Sequence, residues 1–400
     1  MASRLASRLS VVVPSATLAI NARAQELRAQ GVDVISFGAG EPDFDTPTAI
    51  RAAGIRAIED GRTRYTPVSG IPELRAAIAE QSTRDRAVPA TAAMVTVSVG
   101  AKGALFNLAL ALYEPGDEVL IPAPYWVSYP EQVRLLGATP VFLPSTLDAG
   151  WKCSPEELAR ALTPRTKAVL LCSPSNPTGA AYTRAELNAL AQVLRPHDCW
   201  ILADEIYGRL VYDGFEQVSL LTVAPDLLAR LVVIDGASKS YAMTGWRVGW
   251  SIAPAPLARA LDTVQGQGPT SAATMAQYAT LEALRIDDAE LAPMRALFQA
   301  RRDRLVAGLR ALPGVRCALP EGAFYAFPEI RGWLGRSTPS GLTLSDDLQV
   351  TRWLLDEAHV AVVPGSAFGA PGHLRLSYAV GSAAIDEALA RLGRAVATLV

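Results

Sequence analysis

Residues that build disulfides and metal centres are scarce in this chain. Among 400 residues there are 4 cysteines and 3 histidines. Cys153, Cys172, Cys199 and Cys317 show no CxxC spacing, and His197, His359 and His373 form no HExxH or similar pair. A disulfide framework and a zinc site are therefore not expected, and a reducing cytoplasm is the expected compartment. Long apolar runs are missing too. Hydrophobic residues make up 50% of the chain, yet no stretch approaches the roughly 18–20 residues that span a bilayer. Net charge is almost absent, at −2, too balanced to attract nucleic acid or an anionic membrane. The N-terminal Met1-Ala-Ser-Arg-Leu-Ala-Ser-Arg-Leu-Ser alternates Arg with small residues and lacks the apolar block of a secretory signal.

What is present is a succession of short apolar runs and longer helical patterns. Residues 95–99, 118–121, 139–143, 168–171, 200–203 and 231–234 read as strands, several apolar throughout, as in a parallel sheet buried on both faces. Helical patterns over 102–112, 155–162 and 184–194 lie between them. This alternation predicts an α/β domain over 46–285. Residues 1–45 read as an N-terminal arm and part of a smaller domain, completed by 286–400. There, 289–312 and 383–400 read as helices, 322–328 and 361–363 as strands, and 331–345 as a surface loop.

In open α/β sheets ligands sit beyond the carboxyl ends of the strands, so the residues that follow each strand carry the functional signal. Gly100-Ala101-Lys102-Gly103 opens a helix and serves either as a tight turn or as an anion site on free backbone N–H groups. It fits neither the dinucleotide fingerprint nor the P-loop. Trp126 is either core or a flat platform for a ring. Ser173-Pro-Ser-Asn176-Pro177-Thr-Gly179 is a rigid loop whose Asn176–Pro177 bond is a candidate cis peptide. Asp204 either caps a helix or answers a cation at a buried strand end. Lys239 sits among small and apolar residues, where desolvation and a cation such as Arg247 would lower its pKa toward a usable nucleophile.

Taken together these residues resemble a known family. Gly236-Ala-Ser-Lys239-Ser-Tyr-Ala-Met-Thr-Gly-Trp-Arg247-Val-Gly249 fits the lysine-site signature of the class I aminotransferases at every constrained position. Gly38-Ala-Gly40-Glu-Pro-Asp-Phe, Tyr65-Thr-Pro-Val-Ser-Gly, Pro124-Tyr-Trp-Val-Ser-Tyr-Pro, Asp204-Glu-Ile-Tyr, Glu321-Gly-Ala-Phe-Tyr and Leu374-Arg-Leu-Ser-Tyr-Ala extend the resemblance nearly end to end, toward the bacterial aspartate and aspartate/prephenate branch. It implies pyridoxal phosphate fold type I, with a mostly parallel seven-stranded sheet and a smaller α+β domain built from both chain ends. It also implies pyridoxal 5′-phosphate as cofactor, and amino transfer between an L-amino acid and a 2-oxo acid.

By the same resemblance Lys239, Asp204 and Tyr207 form the catalytic set. Lys239 would hold the cofactor as a Schiff base and move the substrate proton. Asp204 would keep the ring nitrogen protonated, Asn176 and Tyr207 would bond the phenolic oxygen, and Trp126 would stack on the ring. Gly100, Ala101, Lys102, Ser238 and Arg247 would hold the phosphate, with Tyr65 reaching over from a second subunit of a homodimer that shares its sites. Arg375 would fork onto the substrate α-carboxylate beside the Gly40 backbone, and Thr17 and Lys102 would meet an acidic side chain. Two departures stand out: Ala101 replaces a small polar residue or Gly, and Gln265-Gly-Gln-Gly-Pro-Thr270 replaces a Ser/Thr-rich segment. A pyridoxal phosphate enzyme of another reaction type, a lyase or synthase, is the second reading.

Overall fold

The computed structural model describes residues 5–13 and 16–400, without the side chains of residues 16–18. A short strand β1 (Ile35–Ser36) precedes seven that build one sheet. These are β2 (Val95–Val99), β3 (Glu118–Pro122), β4 (Thr139–Leu143), β5 (Thr166–Cys172), β6 (Trp200–Asp204), β7 (Leu231–Gly236) and β8 (Val248–Ile252). Four short strands follow: β9 (Tyr325–Ala326), β10 (Val360–Ala361), β11 (Val363–Pro364) and β12 (Leu374–Ser377). The large sheet runs β2-β8-β7-β6-β5-β3-β4. β8 is antiparallel to both of its neighbours, and the other pairings are parallel.

Successive side chains of these strands enter two different cores, because the strand period is two. Leu120, Val169, Leu171, Ile201 and Val233 pack on one face, while Val119, Ile121, Ala168, Leu170, Leu202 and Val232 pack on the other. A run that is apolar on both parities can only be buried on both faces, which is why these segments read as continuous apolar stretches. Val169, Ile201 and Val233 are fully buried. Each such side chain contributes about 1.5–3 kcal/mol of burial, so Ile201→Ala would cost about 2–4 kcal/mol. The crossover helices begin where local chemistry dictates. Thr183 accepts from the Glu186 N–H while the Glu186 carboxylate accepts from the Thr183 N–H, which fixes the start of helix Arg184–Leu194.

A third core joins both ends of the chain. Phe37 packs with Phe298, Phe324, Trp333, Leu354, Leu376 and Ile385, and β1 pairs with β10. The Phe37 carbonyl accepts from the Ser377 N–H at 2.9 Å, which draws the segment after β1 against β12.

Several expectations need adjustment. β8 was not among the expected strands. The segment 322–328 is a strand only over Tyr325–Ala326, and 361–363 is split between β10 and β11. The 331–345 segment runs without long elements, but it is not wholly superficial: Trp333 and Leu344 are buried, and the Trp333 Nε1–H donates to the Pro313 carbonyl at 2.7 Å. Asn176–Pro177 is cis, as are Ala123–Pro124 and Ser173–Pro174. No helix among the described residues is long and apolar enough to cross a membrane.

Candidate active site

The carboxyl ends of β2, β3, β5, β6 and β7 point to one side of the sheet, and the start of antiparallel β8 arrives at that same side. There they enclose a cavity of about 400 Å³ lined by Gly40, Glu41, Ala101, Lys102, Trp126, Tyr129, Asn176, Asp204, Tyr207, Ser238, Lys239, Arg247, Tyr325 and Arg375, among others. Most of the expected site residues are therefore brought together. Gly100 sits directly behind Ala101. Tyr65 is not in this cavity: it is 94% exposed on the outside of its own chain. The Thr17 side chain lies outside the described residues.

Lys239 rides on the single turn Ala237–Ser240 that follows β7. Its Nζ donates to the Gly40 carbonyl at 2.5 Å. Burial pushes its pKa down to about 8, helped by Arg247 and Arg375 and opposed by Glu41 and Asp204. A neutral amine is thus within reach near physiological pH, the condition for attack on a carbonyl.

Asp204 ends β6 almost wholly buried. Its Oδ2 accepts from the Tyr129 hydroxyl at 2.6 Å, and its Oδ1 accepts from the Ile206 N–H at 3.2 Å. Burial raises its carboxyl pKa to about 6, while these two bonds pull it back down. Such a carboxylate gains most from a cationic partner placed in the cavity. Trp126 meets the Tyr129 ring edge-on, with centroids 5.2 Å apart.

Arg375, on β12, is a buried cation that meets no anion among the described residues. Its Nη1 donates to Asn176 Oδ1 at 3.2 Å and its Nη2 to the Gly38 carbonyl at 2.9 Å, while its Nε has no partner. Tyr325 and Phe368 lie against the guanidinium, with ring centroids 4.7 and 5.1 Å away. The Tyr325 hydroxyl also pairs with that of Tyr207 at 3.0 Å. An unpaired buried cation is costly, and a carboxylate ligand is what would satisfy it.

The corner beneath β2 is built for a second anion. Helix Gly100–Leu112 starts without any side-chain cap, so its first N–H groups remain open. Gly100 has φ +74°, and a Cβ there would lie 2.6 Å from Arg247 Nη2. A Cβ on Gly249 would stand 2.2 Å from the Ala101 nitrogen. Glycine at both positions lets β8 press Arg247 against the helix start. Ser238 lines the same cavity, and Lys102 holds its Nζ 4.8 Å from the centroid of the Trp126 ring.

Sequence reasoning passed over Tyr129, Tyr325 and Glu41. All three lay inside quoted motifs, but nothing in the spacing of the two tyrosines distinguishes a polar-bonded hydroxyl from a core aromatic. Glu41 accepts from the Thr244 hydroxyl at 2.7 Å at the cavity mouth. Gln265 proves to be core: fully buried, it accepts from Ser98 and Asn107 and donates to the carbonyls of Val68 and Val97.

A softened amine, a buried carboxylate, a capless helix start beside an arginine and an unpaired guanidinium define a class: enzymes that work on amino acids through a phosphorylated aldehyde cofactor. The residues fit pyridoxal 5′-phosphate, with Lys239 for its aldehyde and Asp204 for its ring nitrogen. Gly100–Lys102, Ser238 and Arg247 suit its phosphate, and Trp126, Asn176 and Tyr207 its ring and phenolic oxygen.

Comparison with known proteins agrees with this chemistry. The family described as aminotransferase class I and II matches residues 32–392. The chain is 49% identical over 389 residues to the aspartate/prephenate aminotransferase of Cereibacter sphaeroides, covering 97% of each. It is 44% identical to the aspartate aminotransferase of Geobacillus stearothermophilus, covering 98% of each. The crystal structure of the aspartate aminotransferase from Rhizobium meliloti superposes with a TM-score of 0.96 at 44% identity, covering 100% of both chains. That of Thermus thermophilus with maleate gives 0.92 at 44% identity, covering 98% of this chain and all of the other. The chain belongs to the class I and II aminotransferases, in the aspartate aminotransferase branch. It is a pyridoxal phosphate-dependent enzyme of fold type I that transfers amino groups between amino acids and 2-oxo acids. The lyase or synthase alternative is not favoured.

Proposed function

We propose that this aminotransferase takes its amino group from a dicarboxylic amino acid, L-aspartate or L-glutamate, and passes it to a 2-oxo acid. One observation carries the reading: three cations, Arg247, Arg375 and Lys102, line one cavity, and none forms an ion pair among the described residues. Three anions answer them, namely the cofactor phosphate, the substrate α-carboxylate and the substrate side-chain carboxylate. The names of the C. sphaeroides and G. stearothermophilus relatives support the same substrate class, and the former adds prephenate as an acceptor to try.

In this reading Arg375 forks onto the α-carboxylate, beside Asn176 and the Gly38–Gly40 backbone, and so orients the Cα–H toward Lys239. When bound, the cofactor supplies an aldehyde that condenses with amines and a ring that withdraws electrons. Lys239, already softened by burial, takes the proton from the substrate Cα and returns it across the same face. Asp204 holds its charge against the protonated ring nitrogen, fixed in place by Tyr129. Tyr207 donates at the phenolic oxygen, steadied by Tyr325. Arg247, Ser238 and the Gly100–Lys102 amides anchor the phosphate.

The exposed Tyr65, with Ile55 and Ile58 more than half exposed on the neighbouring helix Thr48–Glu59, supports a homodimer in which Tyr65 completes the partner's phosphate site. We assign residues 46–285 to the large domain, 286–400 to the small one, and 1–45 to an arm that joins the latter. A cytoplasmic location follows from the same reading.

The test is a single-turnover panel of amino acids, followed through the cofactor's absorbance. L-aspartate and L-glutamate should convert it about two- to fivefold more efficiently than alanine or phenylalanine, the worth of one exposed ionic contact. Equal rates across the panel would refute the dicarboxylic assignment.

A further inference from the structure

Alternation along the end of β6 puts two consecutive carboxylates on opposite sides. Asp204 and Ile206 line the active cavity, whereas Glu205 lines a separate cavity of about 340 Å³ behind it, with Asp85, Arg86, Arg209 and Asp235. Glu205 is 6% exposed and Arg86 is 9% exposed. Arg86, the last residue of helix Pro72–Arg86, donates its Nη2 at 2.7 Å and its Nε at 3.2 Å to Glu205 Oε2, and Ser219 donates to the other oxygen. The same Nη2 lies 3.8 Å from Asp235 Oδ2. Asp235 precedes Gly236 at the end of β7, four positions before Lys239. The Glu205 N–H donates to the Ile234 carbonyl at 2.9 Å, so the two strand ends are stitched through the backbone as well.

We infer that Arg86 is a positioning residue for the reaction: from behind the sheet it cancels the Glu205 charge next to Asp204 and clasps the strand ends that carry Asp204 and Lys239. The inference rests on the reading of Asp204 as partner of the cofactor's ring nitrogen. The ionisable groups facing Asp204 are Tyr129 from helix Ser128–Leu135, Cys172 from β5, Glu205 and Lys239. Those facing Glu205 are Arg86 and Asp235, with Asp85 and Arg209 beyond them. A bare Glu205 carboxylate would favour protonation of its neighbours, and a bare Arg86 would disfavour it. Breaking a buried pair from either side leaves a charge of opposite sign, and that difference separates electrostatic positioning from mere packing.

The experiment uses holoenzyme of Arg86→Met, Glu205→Gln and the double variant. It reads the pH midpoint of the bound cofactor's absorbance titration, with circular dichroism as the folding check. Arg86→Met should move the midpoint up by about one pH unit, Glu205→Gln should move it down, and the double variant should return close to wild type. Shifts of the same sign, or none, overturn the inference. If Arg86→Met does not fold, the downward shift of Glu205→Gln decides the matter alone. Asp204→Asn is run alongside. If it leaves the cofactor spectrum and turnover unchanged, the reading of Asp204 falls; if it alters them while the Arg86 and Glu205 variants do not, only the role of Arg86 falls.

Discussion

Replacing Arg375 by lysine isolates the fork from the charge. A guanidinium offers five N–H groups. In Arg375 one is given to Asn176 and one to the Gly38 carbonyl, so the buried Nε–H and one N–H on each Nη remain for a ligand. A carboxylate can take two of these in parallel. An ammonium at the end of a shorter stem supplies a point charge and at most one well-aimed bond. Losing one charge-assisted bond costs about 1.5–3 kcal/mol. That predicts a fall in kcat/KM of about 10- to 150-fold for Arg375→Lys. Because every amino acid carries an α-carboxylate, the factor should be the same for aspartate and for alanine. Half-reactions with both substrates, monitored by stopped-flow absorbance, measure it directly. A loss below about threefold, or one confined to dicarboxylic substrates, would refute the assignment of Arg375 to the shared carboxylate.

Lys239→Ala should leave a folded protein that turns over orders of magnitude more slowly, since no second amine lines the cavity except the Trp126-bound Lys102; a tenth of normal kcat would contradict its role. In the wild-type apoenzyme, with Lys239 near 8, cofactor uptake should accelerate about tenfold per pH unit from 6 to 7 and level off above 8, because only the neutral amine attacks. A flat profile by rapid mixing would sink this. Asp204→Ala should slow α-proton exchange by at least about 100-fold, measured by deuterium wash-in, while weakening cofactor binding far less; unchanged exchange would remove Asp204 from the chemistry. Lys102→Ala should lower kcat/KM for aspartate and glutamate more than for alanine or phenylalanine, and equal losses across the four would make Lys102 a phosphate or surface residue.

The site was legible where a chemical type had to sit at a fixed distance after an apolar run. Lys239, Asp204 and Asn176 follow strands whose two-sided burial shows as nearly uninterrupted apolar sequence, and Gly100–Lys102 follow the alternating Val95-Thr-Val-Ser-Val of β2. β8 escaped notice because Gly249 and Ser251 dilute its apolar pattern, and Gly249 is there for close backbone approach, not for strand propensity. The Tyr129 contact to Asp204 and the Tyr207–Tyr325 pair were illegible for another reason: a tyrosine in an apolar context reads as core, and only the fold reveals where its hydroxyl ends. The Arg86–Glu205 pair joins residues 119 positions apart, beyond any local pattern. Tyr65 came from the resemblance alone, and in its own chain it is exposed and does not line the cavity.

The bond from Arg375 to the Gly38 carbonyl joins residues 337 positions apart. The cores on the two faces of the central sheet, which carries Lys239, Asp204 and the phosphate corner, are complete only with the helices Ala255–Gly266 and Thr274–Ala283. The carboxylate fork must wait until β12 appears near the very end of synthesis. On the proposed assignment of Arg375, a chain short of β12 carries the amine and the buried carboxylate but lacks the guanidinium that would hold an amino acid.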